Sequence, residues 1–172
     1  MGGTSTIPST EPDLVMGRRR LAVRIVILGA FLLFVLLGLL GLFGVKAGHA
    51  QSTASNGVHV ELTYPRIARP ALAIPFAIHI TNLDHVKSDT VVRVRSSYLA
   101  MFDDNGMSPQ PADETDDGEW TTWVFDTPPS GVLDVSLDTR VEPGVQWKRN
   151  GAVVVRTDDS QTRIDFRTWI AP

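Results

Sequence analysis

Residues 73–82 read Ala73-Ile74-Pro75-Phe76-Ala77-Ile78-His79-Ile80-Thr81-Asn82. Ile74, Phe76, Ile78 and Ile80 alternate with Ala77, His79 and Thr81, and Asn82 opens a turn. A period of two with one apolar face is the pattern of a half-buried strand. The same alternation recurs on both sides. Val58, Val60 and Leu62 carry it upstream; Val92 and Val94, then Leu133, Val135 and Leu137, then Ile164, Phe166 and Ile170 carry it downstream. Trp120–Phe125 and Ala152–Thr157 have strand composition without a clear register. Turn chemistry separates the runs at Asn82-Leu83-Asp84, Pro128–Gly131, Pro143-Gly144, Asn150-Gly151 and Asp158–Ser160. Asn150-Gly151 is the strongest tight-hairpin signal, expected to join the Trp147 segment to Ala152–Thr157. One helical turn is expected near Ser97–Phe102. About seven short strands with no long helical period predict an all-β, antiparallel, immunoglobulin-like sandwich over residues 58–172.

Upstream of that domain the pattern changes completely. From Ile25 to Val45 there is no charged, polar or proline residue. About 20 apolar residues suffice to cross a bilayer as a helix. We therefore expect a disordered cytoplasmic tail at 1–20, a transmembrane signal anchor at 21–46 and a flexible small-residue linker at 47–57. Arg18, Arg19, Arg20 and Arg24 flank the N-terminal end of the run, which favours that end in the cytoplasm. Residues 47–172 then lie outside, with eleven Lys/Arg against seventeen Asp/Glu, a net charge of −6. Gly48-His49-Ala50 offers an alternative, a signal-peptidase site before Gln51, although the apolar run exceeds a usual signal-peptide core. Paired arginines also leave twin-arginine export open. Gly38, Gly41 and Gly44 recur every third residue, either as a helix-contact face or as ordinary membrane-helix glycines.

The stretches AIPFAIHITN, TVVRVRS and RIDFRTWI resemble strands of bacterial immunoglobulin-like or fibronectin-type sandwiches. The whole chain resembles uncharacterised actinobacterial-type single-pass envelope proteins, through SYLAMFDDNG, VEPGVQW and DFRTWIAP. That likeness implies a cell-membrane location and a sandwich ectodomain. It implies no activity, and the cysteine pair of antibody domains is missing.

The chain has no cysteine, which removes disulfides, thiolate metal sites and cysteine nucleophiles. Asp103, Asp104, Asp113, Glu114, Asp116, Asp117 and Glu119 place seven carboxylates in seventeen residues. This reads as a long acidic loop, and such loops are commonly functional. With Gly118 as the sixth position of a calcium loop, the twelfth is Val124, which cannot ligate. A looser calcium site stays open. Reversing Asp116 and Asp117 on an exposed loop should cost no more than about 0.5 kcal/mol. His49, His59, His79 and His85 lack zinc spacing. No nucleophile elbow, S-x-x-K motif or phosphate-cradling loop occurs, so no catalytic residue and no cofactor are expected. Arg93, Arg95, Arg163, Arg167 and Trp169 fall on outward strand positions. They form either a recognition patch or cross-strand pairs with acids such as Asp165.

These features point to a membrane-anchored extracytoplasmic interaction or assembly module, such as an accessory subunit of an envelope complex. The alternative is a glycan- or calcium-binding surface domain. A protein partner is expected through Asp103, Asp104, Asp113, Glu114, Asp116, Asp117 and the arginine-bearing strands. An acidic domain outside the cell does not bind nucleic acid.

Overall fold

The computed structural model describes residues 11–41, 44–144, 147–158 and 160–171, with side chains except at 11–17, 104 and 105. The chain divides into two compact units, residues 1–44 and 45–172.

Among its described residues the first unit is one helix, α1 (Glu11–Leu39). It begins ten residues ahead of the expected start, inside the stretch read as a disordered tail; residues 1–10 lie outside the described chain. Pro12 is tolerated in a first turn. Once the apolar segment is helical, extending it costs little. The helix also stops earlier than the apolar run does. Gly41 takes φ +69°, and its N–H donates to Gly38 O at 3.0 Å. A glycine in the left-handed region just past the last turn is a helix terminator. Gly41 and Gly44 therefore lie beyond the helix and form no stripe along it.

The second unit is mostly β. Its strands are β1 (Lys46–Thr53), β2 (His59–Ala68), β3 (Ala73–Thr81), β4 (Thr90–Arg95), β5 (Phe102–Ser108), β6 (Asp113–Asp116), β7 (Trp120–Phe125), β8 (Leu133–Val141), β9 (Trp147–Thr157) and β10 (Ser160–Ile170). A single turn of helix, α2 (Ser96–Leu99), follows β4, close to the expected place. The ten strands form one sheet ordered β5-β8-β3-β2-β10-β9-β4-β7-β6, with β1 on β2. The sheet is mixed: Ile67 and Ala68 of β2 run parallel to Trp169 and Ile170 of β10, while the other pairs are antiparallel. This corrects the expectation of a purely antiparallel arrangement of about seven strands.

The strands missed by reading alternation are β1, β5 and β6. Residues 47–57 are no linker: Ala47 to Thr53 pair with β2, from Pro65 back to His59. Their small side chains are a packing requirement. A Cβ on Gly48 would come within 2.8 Å of the Tyr64 ring. Ser52 and Thr162 share a hydroxyl hydrogen bond of 2.5 Å, and Asn56 Nδ2 donates to Thr157 Oγ1 at 3.0 Å. β5 and β6 are the two ends of the sheet order, and β6 is exposed throughout. Edge strands are commonly protected by charge, so they carry acids where an interior strand would alternate.

The sheet curls around one core. Phe76 of β3 and Phe166 of β10 meet across it with ring centroids 6.2 Å apart, and Tyr98 and Phe102 complete the aromatic cluster. Tyr98 is fully buried. Its hydroxyl donates to Thr168 Oγ1 at 2.8 Å, and Thr168 in turn donates to the Pro65 carbonyl at 2.6 Å. Burial pushes the Tyr98 hydroxyl well above its ordinary range.

Asn150-Gly151 is not a turn. Both residues lie inside β9, opposite Arg167 and Phe166. The glycine is there because the Phe166 and Tyr98 rings press on its backbone. A glycine inside a strand marks such a close approach. The β9–β10 hairpin instead turns after Thr157, with Asp158 at φ +43°.

Candidate functional site

β4 buries Val92 and Val94 and turns Arg93 and Arg95 outward. β10 likewise buries Ile164 and Phe166 and turns Arg163, Asp165, Arg167 and Trp169 outward. β9 lies between these strands, and Val154 is the partner of both Arg93 and Arg163. Arg93 and Arg163 therefore share one row across the sheet, with one strand between them, while Arg167 lies further along β10 opposite Asn150.

The centre of this face is Trp120 of β7, directly opposite Arg95. The guanidinium carbons of Arg93, Arg95 and Arg163 lie 5.2, 5.2 and 5.7 Å from its ring centroid. A cation over an indole face is worth about 0.5–1 kcal/mol at an exposed site. Each arginine also meets an acid: Arg93 with Asp117 at 3.2 Å, Arg95 with Glu119 at 3.8 Å, Arg163 with Asp165 at 2.7 Å. The Arg163 pair lowers the Asp165 carboxyl and raises the guanidinium further.

The residues 103–119 are no long loop. They form β5, a short connection and the β6–β7 hairpin, whose turn is built by the acids themselves. Asp116 accepts from the Gly118 N–H at 2.6 Å, from Thr121 Oγ1 at 2.8 Å and from Ser96 Oγ at 3.1 Å. Asp117 accepts from the N–H groups of Trp120 and Glu119 at 2.7 and 2.9 Å. Gly118 supplies the turn's φ of +86°. Hydrogen bonds from these backbone N–H groups hold both carboxyls below their usual range. The two acids thus close a turn and present a tryptophan, which corrects the view that they are freely reversible.

The remaining expected residues sit elsewhere. Asp103 lies opposite Arg140 and Asp104 opposite Thr139 on edge strand β5; the Asp104 side chain lies outside the described residues. Asp113 and Glu114 are exposed on edge strand β6. Arg167 donates to Asn150 Oδ1 at 3.1 Å. Trp169 is opposite Lys148, away from the Trp120 ring. The structure therefore gathers Arg93, Arg95, Arg163, Asp116 and Asp117 and separates the other six. Trp120 is the member that sequence reasoning missed. The signal was the neighbouring Asp-Asp-Gly turn, which fixes the register that composition left open in Trp120–Phe125.

Among the described residues no three His, Asp or Glu side chains converge as metal ligands would. An open cleft of about 770 Å³ lies between the β3–β4 connection and the β9–β10 turn, lined by His85, Lys87, Asp89, Arg156 and Asp158. Asp158 and Ser88 lock its two sides through reciprocal bonds of 3.1 and 3.0 Å.

No family model matches this chain, and no curated protein sequence does. Among the solved structures with partial likeness are the following two. One is a type I cohesin–dockerin complex from Clostridium thermocellum (Coh-OlpC-Doc435), 11% identical, covering 61% of this chain and 89% of that chain, TM-score 0.37. The other is AvmM, which catalyses macrocyclization in alchivemycin A biosynthesis, 10% identical, covering 74% of this chain and 90% of that chain, TM-score 0.38. At these scores neither likeness carries an argument.

Proposed function

We propose that the chain is a membrane-anchored interaction module without enzymatic activity, of the kind that serves as an accessory subunit in a cell envelope. Its helix spans the membrane with the N-terminus inside, and its β unit, an immunoglobulin-like sandwich, stands outside. The observation that carries this reading is the segment Arg18–Leu39, 22 residues long and apolar enough to cross a bilayer, with none of its span buried against protein. Exposed apolar surface costs about 25 cal/mol per Å² in water, a cost that lipid removes. Arg18, Arg19 and Arg20 favour the cytoplasmic side for the N-terminal end.

Retention of the anchor is supported by β1. Cleavage after Ala50 would remove Lys46–Ala50, which pair with Ile67–Leu62. Recognition, as opposed to catalysis, is supported by the Trp120 face. Its shifted acids are exposed and held by their own turn or by arginine, whereas catalytic groups are commonly desolvated in a cleft. Aromatic and arginine side chains are the residues that dominate protein interfaces.

In intact cells an external protease should remove a C-terminal epitope and spare an N-terminal one, and the chain should resist alkaline carbonate extraction. The reverse protection pattern overturns the orientation. Crosslinking should recover a protein partner, and R93E/R163E should reduce that recovery. Recovery unchanged by the double variant rules out this face as the contact.

A further inference from the structure

We propose that the end of the β unit at which the chain arrives from the helix is a lipid-facing surface that takes anionic headgroups. The proposal rests on the membrane-anchored reading and adds the surface and its ligand chemistry. Three observations converge on this end. The first is covalent. Only residues 40–45 separate Leu39 from Lys46, the first residue of β1. Seven Cα steps reach at most about 25 Å when fully extended, so the chain itself limits how far Lys46 can lie from the end of the helix.

The second observation is apolar exposure. Four large apolar side chains are exposed among the described residues of the β unit: Leu72 (46%), Val132 (37%), Trp147 (71%) and Trp169 (49%). Val132 precedes β8 at the opposite end of the sheet, where Leu83 N–H bonds Gly131 O. The other three sit at the arrival end. Ile67 is the strand partner of both Lys46 and Trp169; Trp169 is also opposite Lys148, and Trp147 opposite Ile170. Leu72 lies in the β2–β3 connection next to them, bonded to Arg69 O and Val141. Tryptophan is the residue enriched at the headgroup level of membranes, because its ring is apolar and its N–H is polar.

The third observation is charge. The unit as a whole is acidic, yet Lys46, Arg66, Lys148 and Arg149 are all exposed at this end. Asp103, opposite the exposed Arg140, and Glu142, whose N–H donates to Met101 O, are acids at the same end. Each Lys or Arg near an anionic surface adds to the attraction, and salt screens it. A protein partner would need its own complementary pocket for Trp147, whereas a headgroup layer accepts an exposed indole of any orientation.

All four tryptophans, Trp120, Trp123, Trp147 and Trp169, belong to the β unit, so indole emission of the full chain reports on that unit alone. The full chain is reconstituted into phosphatidylglycerol–phosphatidylcholine vesicles whose lipids carry bromine high on the acyl chains. We expect quenching of the emission, loss of that quenching in W147F/W169F, and weaker quenching in K148E/R149E, at high salt or in pure phosphatidylcholine. Circular dichroism and thermal melting establish that the variants fold. Carbonate-resistant protein with unquenched Trp147 and Trp169, or equal quenching in W147F/W169F, overturns the lipid surface while leaving the anchor standing. If carbonate extracts the chain, the anchor reading fails by itself. Flotation with the phosphatidylglycerol vesicles then decides: salt-sensitive co-flotation supports the surface, and its absence overturns it.

Discussion

At the scale of single residues, the core is set by steric contacts that can be tested one at a time. A methyl at Gly151 would run into the Phe166 ring and come within 2.9 Å of Tyr98 Cδ2, whereas nothing lies within 4 Å of one at Gly144. Overpacking a filled core costs about 1–3 kcal/mol. Gly151→Ala should lower the unfolding free energy read from a urea titration by that amount, and Gly144→Ala should leave it nearly unchanged. Phe76→Ala and Phe166→Ala should each cost about 3–5 kcal/mol, because both rings are buried. His79→Ala removes an exposed bond to Asp134 and should cost well under that. The inward parity of Phe76 and Phe166 was legible from alternation alone. The role of Gly151 was not, since glycine after asparagine reads locally as a turn and only the rings above it reveal a packing constraint.

At the scale of elements, the β6–β7 hairpin joins charge to shape. Asp116 and Asp117 accept backbone N–H bonds, which depresses their protonation in the folded state. A carboxyl depressed on folding contributes stability that is fully present above its unfolded value of about 4 and is lost as pH falls through the lower folded value. The melting temperature should therefore fall as pH drops below about 4. The D116N/D117N variant should show a shallower fall, because its amides do not titrate. Equal slopes for wild type and variant would mean that these bonds do not couple to folding. D116K/D117K should go further and loosen the turn, visible as a change in Trp120 emission. The sequence displayed the acids as a cluster. It could not show that they close a turn, because β6 is a polar edge strand without alternation.

At the scale of the whole molecule, the order of the units decides where the chain can be cut. The strand β1 begins at Lys46 and contributes Lys46–Ala50 to the pairing with β2. A mature protein starting at Gln51 would lack those rungs. Mass spectrometry of the purified chain should place the N-terminus upstream of residue 25, and a start at Gln51 would refute retention. By itself the sequence determined the mostly-β character, the inward faces of β2, β3, β4, β8 and β10, and the single apolar helix. Those are local periodicities, written wherever one face of an element meets a uniform environment. The tertiary structure alone decided that the small-residue segment at 47–57 is largely a strand, that β10 closes on β2 in parallel, and that Arg93, Arg95 and Arg163 share one indole. Each depends on which strands become neighbours. That choice rests on long-range burial and edge protection, which leave no repeating trace in any short stretch of chain.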